Sequence, residues 1–206
     1  MPGALAIALI LLLAYLLGSL SGSLLLGRLR GVDVRTLGSG NAGGTNAFRT
    51  QGWRFALGVV VVDVGKGMLA AWLALQVAPA WAYAAAAAAV IGHVWPLWHG
   101  FRGGKGAATA VGGLLVLWPM AVLPLLLVWV LVLISTGYVG LATVLAACTL
   151  PLLAWGDGAG PARWAFALAV PLYLVFTHRG NLQRLRAGTE SRFERARLLH
   201  RWWTKA

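Results

Sequence analysis

Carboxylates are almost missing from this chain. Its 206 residues include 5 Asp and Glu against 17 Lys and Arg. So few acids cannot assemble the clustered carboxylates with which metal-dependent phosphoryl or alcohol-phosphate transferases hold divalent cations, so no metal and no other cofactor is expected. Cysteine is scarcer still. Cys148 stands alone, which excludes an intramolecular disulfide and a multi-cysteine metal site. None of the four histidines opens an H-E-x-x-H motif, and none is followed five positions later by Asp, since Trp98, Gly104, Gln183 and Lys205 stand there. The zinc-hydrolase and H-x-x-x-x-D acyltransferase devices are therefore absent. No basic residue precedes the first apolar run and arginines follow it, the reverse of a secretory signal. Internal repeats are absent, and the only low-complexity run is the alanine stretch at 84–89.

What is present is apolar. Hydrophobic residues make up 60%, charged residues 11%, and the mean hydropathy is +0.78, the composition of an integral membrane protein. Of the 17 basic residues, Arg28, Arg30, Arg35, Arg49 and Arg54 fall in a first polar loop, Arg102 and Lys105 in a second, and eight between Arg179 and Lys205. The positive-inside rule accounts for that placement and puts all three stretches in the cytoplasm, which leaves no call for a nucleic-acid partner.

The expected fold is an all-α polytopic membrane protein forming a single domain over residues 1–206. A first helix over residues 4–26 is long enough for a ~30 Å hydrocarbon core and is read as a retained helix with the N-terminus outside. Its Gly18, Ser19, Ser21, Gly22 and Ser23 are read as a close-packing face. Thr45 and Asn46 offer N-caps for a second helix reaching about residue 77. Within that helix Asp63 and Lys66 are either an intrahelical i, i+3 ion pair or functional charges, and both readings stay open. A third helix covers 81–98. Residues 107–176 form either two long helices or four segments, broken at Pro119, at the 135–137 turn and at the 156–158 loop with Pro161; Pro119, Pro124 and the 135–137 turn favour four. The four-segment reading gives seven transmembrane helices, with five as the alternative, and either count leaves the C-terminus cytoplasmic. Phe193, Ala196, Leu199 and Trp203 predict a basic amphipathic interfacial tail over 191–206.

Three polar stretches carry the chemistry. Residues 38–46 (Gly38, Ser39, Gly40, Asn41, Ala42, Gly43, Gly44, Thr45, Asn46) combine glycines with small polar side chains, the composition of an anion-binding backbone nest, and they run into a helix start. Asn46 and Arg49 share one face of that helix. Residues 100–106 form a second glycine run, Gly100-Phe101-Arg102-Gly103-Gly104-Lys105-Gly106, at the start of another helix. It is no nucleotide P-loop, because His99 stands where the first glycine is needed and Gly106 where Ser or Thr is needed. His178, Asn181 and Arg184 line one face of a short helix in the third stretch. Two nests among basic side chains suit two phosphates, or one phosphate and a bond that reacts beside it.

Taken together, these residues resemble the three motifs of the bacterial acyl-phosphate:glycerol-3-phosphate acyltransferases. The resemblance is carried by Gly38, Ser39, Gly40 and Asn41, by Thr45 and Asn46 with Arg49, and by Gly92 and His93 with Pro96. It continues through Phe101, Arg102, Gly103, Gly104, Lys105 and Gly106 to His178, Arg179, Asn181, Arg184, Gly188 and Glu190. Ala42 and Gly44 depart from the family pattern but keep the loop small.

The resemblance implies transfer of a fatty acyl group from acyl phosphate to the 1-hydroxyl of sn-glycerol 3-phosphate, giving lysophosphatidic acid and phosphate. It implies a monomeric enzyme of the bacterial inner membrane, in contact with membrane lipid, with its active site at the cytoplasmic face. It also implies catalytic roles for Ser39, Arg49, Lys105, His178 and Asn181. Substrate binding falls to Gly38, Gly40, Asn41, Thr45, Asn46, His93, Arg102, Gly103, Gly104 and Gly106, and a structural role to Glu190. On this reading Ser39 and Arg49 hold the acyl-phosphate headgroup or its carbonyl, Lys105 and its glycines bind glycerol 3-phosphate, and His178 and Asn181 orient the hydroxyl. The competing reading is a transporter or channel for a phosphate ester, which calls for an inverted repeat and unwound spans.

Overall fold

The computed structural model describes residues 2–197. It is helical throughout, with no strand among the described residues. Leu199 and Trp203 of the expected amphipathic tail lie outside the described residues. The helices are α1 (Ala4–Gly18), α2 (Gly22–Leu29), α3 (Gly44–Gln51), α4 (Trp53–Val77), α5 (Ala82–Val94), α6 (Ala107–Leu117), α7 (Pro119–Thr136), α8 (Val139–Ala147), α9 (Leu150–Gly156), α10 (Pro161–Thr177) and α11 (Arg179–Arg186). They form two compact units, Met1–Pro119 and Met120–Ala206.

Four stretches are long and apolar enough to cross a membrane: Trp53–Val77, Pro79–His99, Pro119–Thr136 and Val139–Gly156. Ala4–Gly18 and Gly22–Leu29 make a fifth if the pair, bent by 47°, is one span, and Ala107–Leu117 and Pro161–Thr177 are shorter apolar helices. Along α7, Leu123, Leu126, Leu127 and Leu131 are exposed, a face suited to hydrocarbon and costly in water.

Two expected helices prove to be broken. The first stops at Gly18 and resumes at Gly22 after an extended Ser21 at φ −78° and ψ 118°. The second is interrupted at Gly52, whose φ of +83° ends α3 and starts α4. The α3 helix is capped by Gly43, so Thr45 and Asn46 lie within its first turn and are not caps.

In the first unit the packing is close because the facing residues are small. A Cβ on Gly18 would strike the Ala89 backbone, one on Gly92 the Tyr15 carbonyl, one on Gly67 the Thr109 carbonyl and one on Gly112 the Val64 carbonyl. The α1–α5 and α4–α6 pairs thus touch backbone to backbone, as small-residue membrane interfaces do. Buried alanines fill the seam among α1, α4 and α5: Ala14, Ala70, Ala74, Ala82, Ala85 and Ala89. In the second unit Gly140 of α8 admits Asn181 of α11. The Phe193 N–H reaches back 2.7 Å to the Gly137 carbonyl at the turn after α7.

Gly67 and Gly65 sit on the same helix, but a Cβ on Gly65 meets nothing within 4 Å. Gly67→Ala should therefore cost about 1–3 kcal/mol through forced separation of α4 from α6, while Gly65→Ala should be neutral or stabilising by up to ~1 kcal/mol. Thermal unfolding of the two variants side by side in detergent checks this.

Candidate active site

The first glycine stretch is organised from beneath by one side chain. Asn46, 1% exposed, is held by α3 so that its amide faces back into the loop. Its Oδ1 accepts the Ser39 N–H at 2.9 Å, and its Nδ2 donates to the carbonyls of Val34 and Leu37, each at 2.9 Å. The Gly40 N–H donates to the Leu37 carbonyl at 3.0 Å. Two N–H groups expected to face an anion are therefore spent inside the loop, and the Asn46 amide, expected to touch substrate, shapes it. Gly38 and Gly40 have φ of +58° and +70°, the left-handed region that glycine enters without strain. Ser39, Thr45 and Arg49 are exposed, and Asn41 is half-buried.

The second stretch folds against the end of α5. The Gly103 N–H donates to the Val94 carbonyl and the Gly104 N–H to the His93 carbonyl, both at 3.1 Å. A Cβ on Gly103 would collide with the His93 carbonyl and the Pro96 ring. One on Gly104 would collide with His93 Nε2 and come within 2.8 Å of the Ala42 carbonyl. These glycines serve close approach, and they bring the two loops together with His93 between them. Gly106, at φ +90°, precedes α6, and half-buried Lys105 sits between Gly104 and Gly106.

Arg35 is a second tie between the loops that sequence pattern did not single out. Its Nη1 donates to the His99 carbonyl at 2.9 Å and to the Arg102 carbonyl at 3.3 Å, while Nε and Nη2 bind the Asp33 carboxylate. Side-chain hydrogen bonding by Arg35 holds the Asp33 carboxyl below its ordinary 3.8, and Asp33 in turn raises Arg35. Beside this strut a cavity of about 320 Å³ is lined by Leu24, Arg28, Gly31, Val32, Asp33, Arg35 and His99. The exposed side chain of Arg102 projects from the same loop.

Beneath the loops lies a buried ionic cluster. Lys66 Nζ lies 3.0 Å from Asp63 Oδ1 and 2.8 Å from His93 Nδ1, and it donates to the Leu20 carbonyl at 2.8 Å. The Gly22 N–H donates to Asp63 Oδ1 at 3.1 Å. Of the two readings left open for Asp63 and Lys66, the intrahelical ion pair is present, and it also satisfies the backbone groups released where the first helix breaks. Charge buried in an apolar helix marks such a need, but the partner 41 residues away along the chain is invisible to periodicity.

The second unit holds the third stretch. His178, 5% exposed, has Nδ1 at 2.8 Å from the Leu174 carbonyl. A carbonyl can only accept, so Nδ1 carries the proton. Asn181 Nδ2 donates to Glu190 Oε1 at 2.6 Å and Arg184 Nε to Glu190 Oε2 at 2.7 Å. Glu190 thereby ties the end of the chain segment after α11 back to that helix.

Residues 8–188 match the family described as glycerol-3-phosphate acyltransferase. A protein of that description from Geotalea daltonii is 41% identical over 184 residues, covering 88% of this chain and 95% of its own length. One from a Synechococcus species is 43% identical over 195 residues, covering 93% and 96%. The chain belongs to the glycerol-3-phosphate acyltransferase family. Among solved structures it is similar to the integral membrane glycerol 3-phosphate acyltransferase PlsY (YgiH) in its glycerol 3-phosphate form. That match has a TM-score of 0.87 and 34% identity over 91% of this chain and 95% of that one. The lysophosphatidic acid form of PlsY gives 0.86 and 32%, over 94% and 98%. The family thus accounts for a helical, membrane-embedded chain.

For this family member the buried amide of Asn46 predicts a large asymmetry between neighbours. Asn46→Asp keeps the shape but turns two donors into an acceptor that faces two carbonyls, and should cost about 2–4 kcal/mol. Ser39→Ala, at an exposed side chain, should stay within ~0.5 kcal/mol of the parent. Detergent-phase thermal melts of both variants measure the difference.

Proposed function

We propose that this chain acylates the 1-hydroxyl of sn-glycerol 3-phosphate to give lysophosphatidic acid, with acyl phosphate as donor. The observation that carries the reading is the match to PlsY in forms with this substrate and this product, over nine-tenths of the chain. The paired glycine loops around His93 add to it. An acyl phosphate is a mixed anhydride with a good leaving group, so positioning and charge stabilisation suffice and no enzyme nucleophile is needed. The hydroxyl oxygen attacks the carbonyl carbon, the C–O bond to phosphate breaks, and the hydroxyl proton ends on the departing phosphate. Exposed Ser39 and Arg49 are assigned to the donor headgroup. Lys105, on the loop of Gly103, Gly104 and Gly106, is assigned to the phosphate of glycerol 3-phosphate.

His178 and Asn181 are assigned to orienting the hydroxyl, on the chemistry of the third motif. With Nδ1 protonated against the Leu174 carbonyl, a neutral His178 has its lone pair on Nε2, the form that accepts a hydrogen bond from a hydroxyl. The same reading takes seven spans, counting the bent pair and the two shorter apolar helices. It places the N-terminus outside, the three basic stretches on the cytoplasmic side of a bacterial inner membrane, and the enzyme as a monomer. The transporter alternative gains one feature, the break between α1 and α2, but that break is filled by side chains of α4, and the family match favours the enzyme.

Purified protein given acyl phosphate and glycerol 3-phosphate should release inorganic phosphate only when both are present; release indifferent to glycerol 3-phosphate would end the acyltransferase reading. In that assay Lys105→Ala should raise KM for glycerol 3-phosphate about 10- to 100-fold, the value of one charge-assisted hydrogen bond.

Proton uptake by the leaving phosphate has its own signature. His178→Ala should keep a rate within about tenfold of the parent, below the usual contribution of a general base, with a flat pH profile near neutrality. Abolished activity rescued by imidazole would instead make His178 the base.

A further inference from the structure

Lys66 and His93 lie within hydrogen-bond distance but are 27 residues apart in sequence. Their arrangement closes a complete account of protons. An ammonium has three donors and no acceptor. Lys66 Nζ has three acceptors around it, at 2.8 Å from the Leu20 carbonyl, 3.0 Å from Asp63 Oδ1 and 2.8 Å from His93 Nδ1. Paired with the Asp63 carboxylate, Lys66 keeps its charge in a setting where an unpaired one would be costly. His93 Nδ1 must therefore accept, and in a neutral imidazole the proton then stands on Nε2. That nitrogen borders Gly104, at the place where the second loop meets the Ala42 carbonyl of the first.

We propose that Lys66, backed by Asp63, is a positioning residue that locks His93 as its Nε2–H tautomer and so presents a neutral N–H donor to the phosphate-bearing substrate on the loop of Gly103, Gly104 and Lys105. The proposal rests on the reading that this loop binds a phosphate ester. A lone pair at the same position would repel the anion, so the identity of the protonated nitrogen decides whether His93 helps or hinders. The lysine touches no substrate; it acts through the ring. The charges that act on His93 among the described residues are those of Asp63 and Lys66, both on α4, and Lys105 follows Gly104 on the facing loop.

Removing the lysine leaves the Asp63 carboxylate 3.4 Å from Nδ1. In Lys66→Met the carboxylate favours a proton on Nδ1, which then donates to it. At low pH the ring is then an imidazolium and retains the Nε2–H. As pH rises the proton left on Nδ1 is held by Asp63, the one on Nε2 departs, and the ring turns a lone pair to the substrate. The parent, with Nδ1 committed as acceptor, has no such transition.

Two measurements test this. Nitrogen-15 NMR of histidine-labelled wild type in detergent should show His93 protonated at Nε2 and bare at Nδ1 between about pH 6 and pH 8, the range where an unconstrained histidine titrates. In phosphate-release kinetics, the ratio of Lys66→Met to wild-type KM for glycerol 3-phosphate should rise about tenfold or more from pH 6 to pH 8.5, the worth of one charge-assisted hydrogen bond, with kcat changing far less. Taking the ratio cancels the ionisation of glycerol 3-phosphate itself. An Nδ1–H or imidazolium signal in wild type overturns the proposal, as does a pH-independent KM ratio in a folded variant. If Lys66→Met does not fold, the wild-type NMR signal decides alone. Wild type that releases no phosphate with glycerol 3-phosphate defeats the functional reading and not the tautomer, which the NMR reads independently of turnover.

Discussion

A lysine and an aspartate meeting a broken helix hold the first unit of this structure together. Inside an apolar bilayer every backbone N–H and carbonyl needs a partner, and a helix supplies them only while it is continuous. Here the helix stops at Gly18 and restarts at Gly22, and the backbone groups released between are met by Lys66 on the Leu20 carbonyl and Asp63 on the Gly22 N–H. The helix break and the charge pair each make the other affordable. The break gives the ions polar partners, and the ions give the broken backbone its hydrogen bonds. Because Lys66 also reaches His93, the same cluster fixes the end of α5, against which the second glycine loop is laid.

Glycine does different work in the two loops. In the first, Gly38 and Gly40 take left-handed conformations so that the chain can wrap around the Asn46 amide. In the second, Gly103 and Gly104 are small so that the chain can lie on His93 and Pro96 and touch the first loop. The Asp33–Arg35 pair, fastened to the His99 and Arg102 carbonyls, is a further brace on the second loop. The loop backbone is thus held by buried or paired groups, leaving Ser39, Arg49 and Arg102 outermost.

Composition alone established the membrane class, and residue motifs led to the acyltransferase family. Helix content and the turns at Gly137 and Pro161 were also legible, because glycine and proline act locally. The break after Gly18 was not. It depends on Asp63 and Lys66, which lie far along the chain, and the small residues around it read equally well as a packing face. Gly52 escaped for the opposite reason: one glycine inside a helical pattern is tolerated as often as it ends a helix. The family resemblance assigns Asn46 to substrate binding, whereas its burial under residues 34–39 depends on how the loop folds back. Arg35 carried only a topological meaning until its carbonyl partners, 64 and 67 residues away, came into view.

The break between α1 and α2 also ties an early segment of the chain to a later one. When the first helix enters the bilayer, α4 with Asp63 and Lys66 has not yet been made. An open stretch at 19–21 would then leave the Leu20 carbonyl and the Gly22 N–H unpaired in hydrocarbon, at several kcal/mol each. An unbroken helix is the better state at that stage. In the folded protein the break is met by side chains of α4. The hydrogen bonding of the first segment is therefore completed by a helix whose Asp63 and Lys66 lie 41 and 46 residues further along the chain than their partners.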